Sequence, residues 1–111
     1  MVQFLTNVFP RVELWFSWFN STLANNGSNL NGTYMWRDVY KEGALSSGLD
    51  DYPRGFRETQ AGDIHADLQI WMVVFSKFMA RSIDDIQNYT HHNISKRPSK
   101  DYRDLADQAT K

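Results

Sequence analysis

The sequence predicts an all-α chain with one long loop. Two blocks of apolar residues recur at three- and four-residue steps, and no segment alternates apolar with polar residues as a half-buried strand would. Gly, Pro and Asn gather in the stretches between the blocks. At 111 residues the length fits one small domain.

The first block covers about residues 7 to 25 and carries Val8, Phe9, Val12, Leu14, Trp15, Phe16, Trp18, Phe19 and Leu23. Asn7 can cap its start, and Pro10 suits a first turn, where a missing N–H costs little. Arg11 and Glu13 are the only charged residues among the first 36. A helix apolar on most faces is packed on more than one side, so Trp15 and Trp18 are expected in the core. Asn25 to Thr33 follows as a turn-rich linker with two Asn-Gly steps, leading into Tyr34-Met35-Trp36-Arg37-Asp38. Residues 43–62 then hold four glycines, one proline and no helical period. A loop of about 20 residues inside a compact domain is usually functional or disordered. Leu49, Tyr52 and Phe56 among its charges favour an ordered, functional loop.

The strongest helix is predicted from about Asp63, a candidate N-cap, to Tyr89. Leu68, Trp71, Met72, Phe75 and Met79 mark one face, while Ile70, Val73, Val74 and Phe78 fill others. Its middle is therefore expected to lie between layers, with Trp71 in the core. Residues 91–111 are polar and contain Pro98, and they read as a tail, disordered or weakly helical.

Composition narrows the function. Twelve Lys and Arg against thirteen Asp and Glu give a formal net charge of −1, without the basic excess that nucleic acids or anionic membranes require. The absence of cysteine excludes disulfides, thiolate metal sites and cysteine nucleophiles. The longest apolar run, Ile70 to Phe75, is far short of the roughly 20 residues that span a bilayer. Met1 to Pro10 has neither the basic start nor the small-residue cleavage site of a signal peptide. Against a cytosolic reading stand five Asn-x-Ser/Thr sequons, at Asn20, Asn26, Asn31, Asn88 and Asn93, where composition alone gives about one. Asn-rich, Ser/Thr-rich loops also generate sequons without their being used. Sixteen aromatic rings imply either a large core or a ring-lined binding surface.

The chemistry-bearing residues gather between Trp36 and Trp71. Asp50 and Asp51 sit in the long loop, with Asp63 and Asp67 at the start of the strong helix. Trp36, Arg37, Tyr52, Arg54 and His65 lie around them. Adjacent carboxylates raise one another's pKa, which suits acid chemistry, although an Asp-Asp pair in a loop also serves as a turn or cap. Pro53 fixes its own φ and biases Tyr52 toward an extended backbone, presenting Asp50 to Arg54 stiffly. His65 and Asp67, two apart, cannot share a helical face, so one can face a site while the other braces the loop. No second ligand cluster accompanies them, and no metal or other cofactor is expected. Ser46 and Ser47 lack the Gly-x-Ser-x-Gly turn of serine hydrolases.

Ser47-Gly48-Leu49-Asp50-Asp51-Tyr52-Pro53-Arg54, followed by His65-x-Asp67-Leu68-x-x-Trp71-Met72, resembles the processing mannosyl-oligosaccharide glucosidases (α-glucosidase I) of glycoside hydrolase family 63. Trp18-Phe19-Asn20 and Gly32-Thr33-Tyr34-x-Trp36-Arg37 are similar to the family's preceding segment. The likeness runs over roughly residues 9 to 80, in order and at similar spacing. Ile64 stands where the family has a basic residue, and Met35 and Asp38 to Tyr40 depart from a more Arg- and Gly-rich stretch.

The resemblance implies part of an (α/α)6 barrel: two or three helices and a long ordered loop, with residues 1–90 belonging to a catalytic domain and the acid on the loop at 43–62. It implies an inverting glycosidase that removes the terminal α-1,2-linked glucose from the N-glycan precursor in the endoplasmic reticulum, in the lumen or associated with the membrane. Asp50 would be the general acid. Asp51, Tyr52 and Arg54 would shape the glucose subsite, with Trp36, Arg37, His65 and Asp67 as contacts or braces. An inverting enzyme needs a second carboxylate about 6.5–9.5 Å away, which the family supplies from a later segment with no counterpart here. The chain is therefore expected to be inactive alone, its partners being the glucosylated oligosaccharide and the remainder of the barrel. A non-catalytic helical module that binds sugar or a protein partner is the other reading.

Overall fold

The structure is a computed structural model that describes residues 1–25, 29–37 and 64–111. The described residues are all-helical, consistent with part of a helical barrel. They form α1 (Val2–Thr22), α2 (Ala66–Thr90) and α3 (Ser99–Ala109). A single antiparallel bridge, Ala24 with Tyr34, is the nearest approach to a sheet among them. The long loop expected at 43–62, and the N-cap expected at Asp63, lie outside the described residues.

α1 starts five residues earlier than the sequence suggests, with Met1 rather than Asn7 before its first turn and Pro10 in its interior. An interior proline removes the bond to the carbonyl four residues back and costs about 3 kcal/mol in an exposed helix. The continuous apolar face offsets it: Phe9 and Phe16 are buried, and Leu5, Val12 and Phe19 pack against the same core. α2 begins at Ala66 with His65 as its N-cap, and it ends where His91 adopts φ 56°, the left-handed geometry that closes many helices. Its buried face runs through Leu68, Met72, Met79, Ile83 and Ile86.

Residues 91–111, expected as a disordered or weakly helical tail, turn back after α2 and form α3 along it. Tyr102, Ala106 and Ala109 are buried and Leu105 is half-buried, a narrow stripe at i, i+3, i+4 and i+7. Half of the stripe is alanine, and its one large fully buried side chain is Tyr102. A polar junction completes the seat. The Glu13 carboxylate, buried in mid-α1, accepts hydrogen bonds from the Ser95 hydroxyl, the Lys96 backbone N–H and, at 2.9 Å, the Tyr102 hydroxyl. One side chain thus binds α1, the α2–α3 connection and α3, while the Tyr102 ring meets Phe16 edge-on at 5.1 Å.

Burial, then the hydrogen bond and the charge of Glu13, pushes the Tyr102 phenol up from 10.0 to about 12. A group whose pKa is raised on folding stabilises the fold fully below its unfolded pKa and ceases to do so as pH climbs through the folded value. Helicity is therefore expected to fall between about pH 10 and 12 as phenolate absorbance rises. Tyr102→Phe should flatten that loss. An unchanged profile in the variant would assign the transition to other groups.

The second departure concerns the tryptophans. Trp15, Trp18 and Trp71, expected in the core, are 59%, 55% and 67% exposed. α3 covers one side of α2 and α1 packs against another, which leaves the face with Ile70, Trp71, Val74 and Phe78 open. Among the described residues no further layer reaches that face.

Candidate active site

The site is built where α1 ends and α2 begins. Leaving α1, Leu23 to Asn25 runs antiparallel to Thr33 to Met35. The Asn25 N–H donates to the Thr33 carbonyl and the Met35 N–H to the Leu23 carbonyl, each at 2.9 Å. The turn between them needs Gly32, whose φ of +79° lies in the left-handed region that side chains resist. Tyr34 is buried, and its hydroxyl donates to the Asn20 side-chain carbonyl at 2.7 Å. Burial raises its pKa.

The returning strand then lies against the start of α2. The His65 N–H donates to the Tyr34 carbonyl at 3.1 Å, and the Trp36 N–H donates to His65 Nδ1 at 2.9 Å. This explains why His65 gives no side-chain cap to the helix it precedes: its ring is turned back onto the strand. With Nδ1 accepting, the ring proton belongs on Nε2 in the neutral form. At the start of α2, the Asp67 carboxylate accepts the Trp36 indole N–H at 2.9 Å, a charge-assisted bond that fixes the ring plane. Asp67 also stands in the first helical turn, where a negative charge is favoured by the helix dipole. The other edge of the indole meets Phe19, centroid to centroid at 6.4 Å and nearly perpendicular.

Trp36, His65 and Asp67 are thus drawn into one cluster. Arg37 leans the other way, donating to the Ala24 carbonyl and the Asn25 side-chain oxygen, each at 3.2 Å, and so ties the same strand to the end of α1. Asp50, Asp51, Tyr52 and Arg54 lie outside the described residues. Among the described residues no three His, Asp or Glu side chains form a set that could hold a metal ion.

Gln69, which the sequence analysis passed over, holds this end together. Its side-chain oxygen accepts the Tyr34 N–H at 3.0 Å, while its amide nitrogen donates to the Gly32 carbonyl at 2.6 Å and to the Ala109 carbonyl at 2.7 Å. Its signal was a half-buried polar residue one turn after His65, on a helix otherwise apolar at that level.

A half-buried indole fixed by a carboxylate, beside an imidazole, suits recognition of a neutral polyhydroxylated ligand. The ring offers an apolar face, and the polar groups offer donors and acceptors for hydroxyls. The family description "Glycosyl hydrolase family 63 C-terminal domain" matches residues 1–110. The chain belongs to glycosyl hydrolase family 63. Among curated relatives of this family 63 chain, alpha-glucosidase 2 of Arabidopsis thaliana is 33% identical over 84% of the chain and 12% of its own length. The probable mannosyl-oligosaccharide glucosidase of Schizosaccharomyces pombe is 34% identical over 68% of the chain and 10% of its own length. Mannosyl-oligosaccharide glucosidase GCS1 of Arabidopsis thaliana is 35% identical over 71% of the chain and again 10% of its own length. The family 63 chain therefore spans about a tenth of the length of the curated relatives it matches. No solved structure matches it.

Proposed function

We propose that the chain supplies the general-acid side of a family 63 glucosidase that removes the terminal α-1,2-linked glucose from the N-glycan precursor with inversion of configuration. Asp50 would protonate the glycosidic oxygen as the oligosaccharide departs from the terminal glucose. Asp51, Tyr52 and Arg54 would shape the subsite of the terminal glucose, while Trp36, Arg37, His65 and Asp67 contact that glucose or keep its subsite in shape. The observation that carries the reading is the convergence of Trp36, His65 and Asp67 through two hydrogen bonds of 2.9 Å. They flank, in sequence, the segment Ser47-Gly48-Leu49-Asp50-Asp51-Tyr52-Pro53-Arg54.

The chemistry follows from two carboxyl groups. One, protonated, gives its proton to the leaving oxygen. The other, ionised and about 6.5–9.5 Å away, takes a proton from the water that attacks the opposite face of the sugar. The base would come from a segment outside these residues, as would the rest of the barrel and its setting in the endoplasmic reticulum. The same end of the chain, without a base, would still bind sugar, and the described cluster supports that second reading equally.

The experiment grafts residues 1–110 in place of the matching segment of the fission yeast relative and follows glucose release from a triglucosylated N-glycan. Asp50→Asn should lower turnover about 100-fold or more, the usual cost of losing a general acid. Full activity in that variant would remove Asp50 from the mechanism. Activity of the isolated chain that depends on Asp50 would overturn the dependence on an external base.

A further inference from the structure

Between Gly32 and Trp36 the returning strand uses both of its edges. On one edge, Thr33 and Met35 pair with Asn25 and Leu23. On the other, Gly32, Tyr34 and Trp36 turn backbone groups toward α2, as alternate residues of an extended chain do. His65 holds the far end of this row, its N–H donating to the Tyr34 carbonyl and its Nδ1 accepting the Trp36 N–H. Gln69 holds the near end. It lies one turn beyond His65 on the same face of α2. Its side-chain oxygen accepts the Tyr34 N–H, and its amide nitrogen donates to the Gly32 carbonyl.

The same amide nitrogen also donates to the carbonyl of Ala109, the last residue of α3. A helix supplies no N–H to its own final carbonyls, so this donor comes from outside α3. Both amide protons of Gln69 are thereby used. Each of these bonds goes to backbone, and none to the side chain of a candidate sugar contact, so Gln69 acts on recognition through other residues. Trp36 follows Tyr34 by two residues, roughly 7 Å of extended chain. A slip of the strand along α2 therefore carries the indole away from Asp67 and breaks the 2.9 Å bond that orients it.

We propose that Gln69 is a positioning residue for the subsite of the terminal glucose: by tying Gly32, Tyr34 and the end of α3 to α2, it fixes where Trp36 presents its ring. α3 thus belongs to the frame of the site, although it contributes no residue to it. The proposal rests on the reading that Trp36 contacts the glucose.

The test introduces Gln69→Met, similar in length but without amide donors, into the fission yeast relative grafted with residues 1–110. An aromatic ring that holds the glucose equally before and during bond cleavage is read in KM, whereas loss of folded enzyme lowers kcat and leaves KM unchanged. KM for the triglucosylated N-glycan should rise about tenfold or more, with kcat within about twofold of the parent. Gln87→Met removes an amide near the other end of α2 that bonds Asn93, and it should move neither constant. In the complete 111-residue chain, the indole N–H resonance of Trp36, assigned by its loss in Trp36→Phe, should shift in Gln69→Met and hold its place in Gln87→Met. An unchanged KM, a fall in kcat alone, an unmoved resonance, or an equal response to Gln87→Met overturns the assignment. If the unsubstituted graft releases no glucose, the glucosidase reading fails and the resonance decides: its shift upholds the positioning of Trp36 by Gln69, and its constancy refutes it.

Discussion

Replacing Glu13 by alanine is expected to cost about 3–5 kcal/mol, a large part of the 5–15 kcal/mol by which domains are stable. The carboxylate is 7% exposed and is the shared acceptor for the Ser95 hydroxyl, the Lys96 N–H and the Tyr102 hydroxyl. Truncation removes the acceptor these donors share, and each buried donor left unsatisfied costs about 1–3 kcal/mol. The damage should be directional. Tyr102 is fully buried and anchors α3, so α3 and residues 91–98 should detach before α1 and α2 separate. Glu13→Gln keeps a carbonyl acceptor at nearly the same place and should recover most of the loss. Urea unfolding of the parent and both variants reads the midpoints, and hydrogen exchange reports which helix opens first. Equal losses in the alanine and glutamine variants would mean that charge, not acceptor geometry, holds the junction.

Gly32→Val is expected to be nearly as costly, at about 3–4 kcal/mol, and it acts on the other end of the molecule. Two penalties combine. A φ of +79° is strained for any side chain and worst for a β-branched one. A Cβ there would also stand 2.9 Å from the Gln108 backbone carbon and oxygen, atoms of a helix that cannot swing aside as a flexible side chain would. Relief requires moving either the turn or the end of α3. Either motion breaks one of the bonds from Gln69 to the Gly32 and Ala109 carbonyls, and the shift should reach Tyr34 and Trp36. Urea unfolding measures the loss of stability, and the indole N–H resonance of Trp36 should shift with it. A variant of parental stability would show that the turn can move without cost.

The helices were legible because α1 and α2 carry strong apolar periods that survive any tertiary context. Their starts were not, because caps are decided by partners far away: His65 spends its ring on the Trp36 backbone, 29 residues distant, rather than on α2. α3 was legible only as a disordered or weakly helical tail because its buried stripe is two alanines, a leucine and one tyrosine. What secures it is a bond from Tyr102 to a carboxylate 89 residues earlier. Glu13 did leave a trace, as one of only two charges in the first 36 residues. The tryptophans were placed in the core on the correct premise that apolar faces become buried, but the layer that would bury them is absent from the described residues. At the site, the family resemblance named Trp36, His65 and Asp67 as contacts or braces while their spacing set His65 apart from Asp67; both meet at Trp36 because the pairing of residues 23–25 with 33–35 brings that strand to the start of α2.

The open apolar face of α1 and α2 has one practical consequence. Three of the four tryptophans in the chain, Trp15, Trp36 and Trp71, line it, and the fourth, Trp18, packs edge-on against the lining residue Phe19 at 5.3 Å. Nearly all intrinsic emission therefore originates within one patch. Emission maximum and quencher accessibility, measured on the unlabelled chain, become a direct optical gauge of whether that patch is wet or covered.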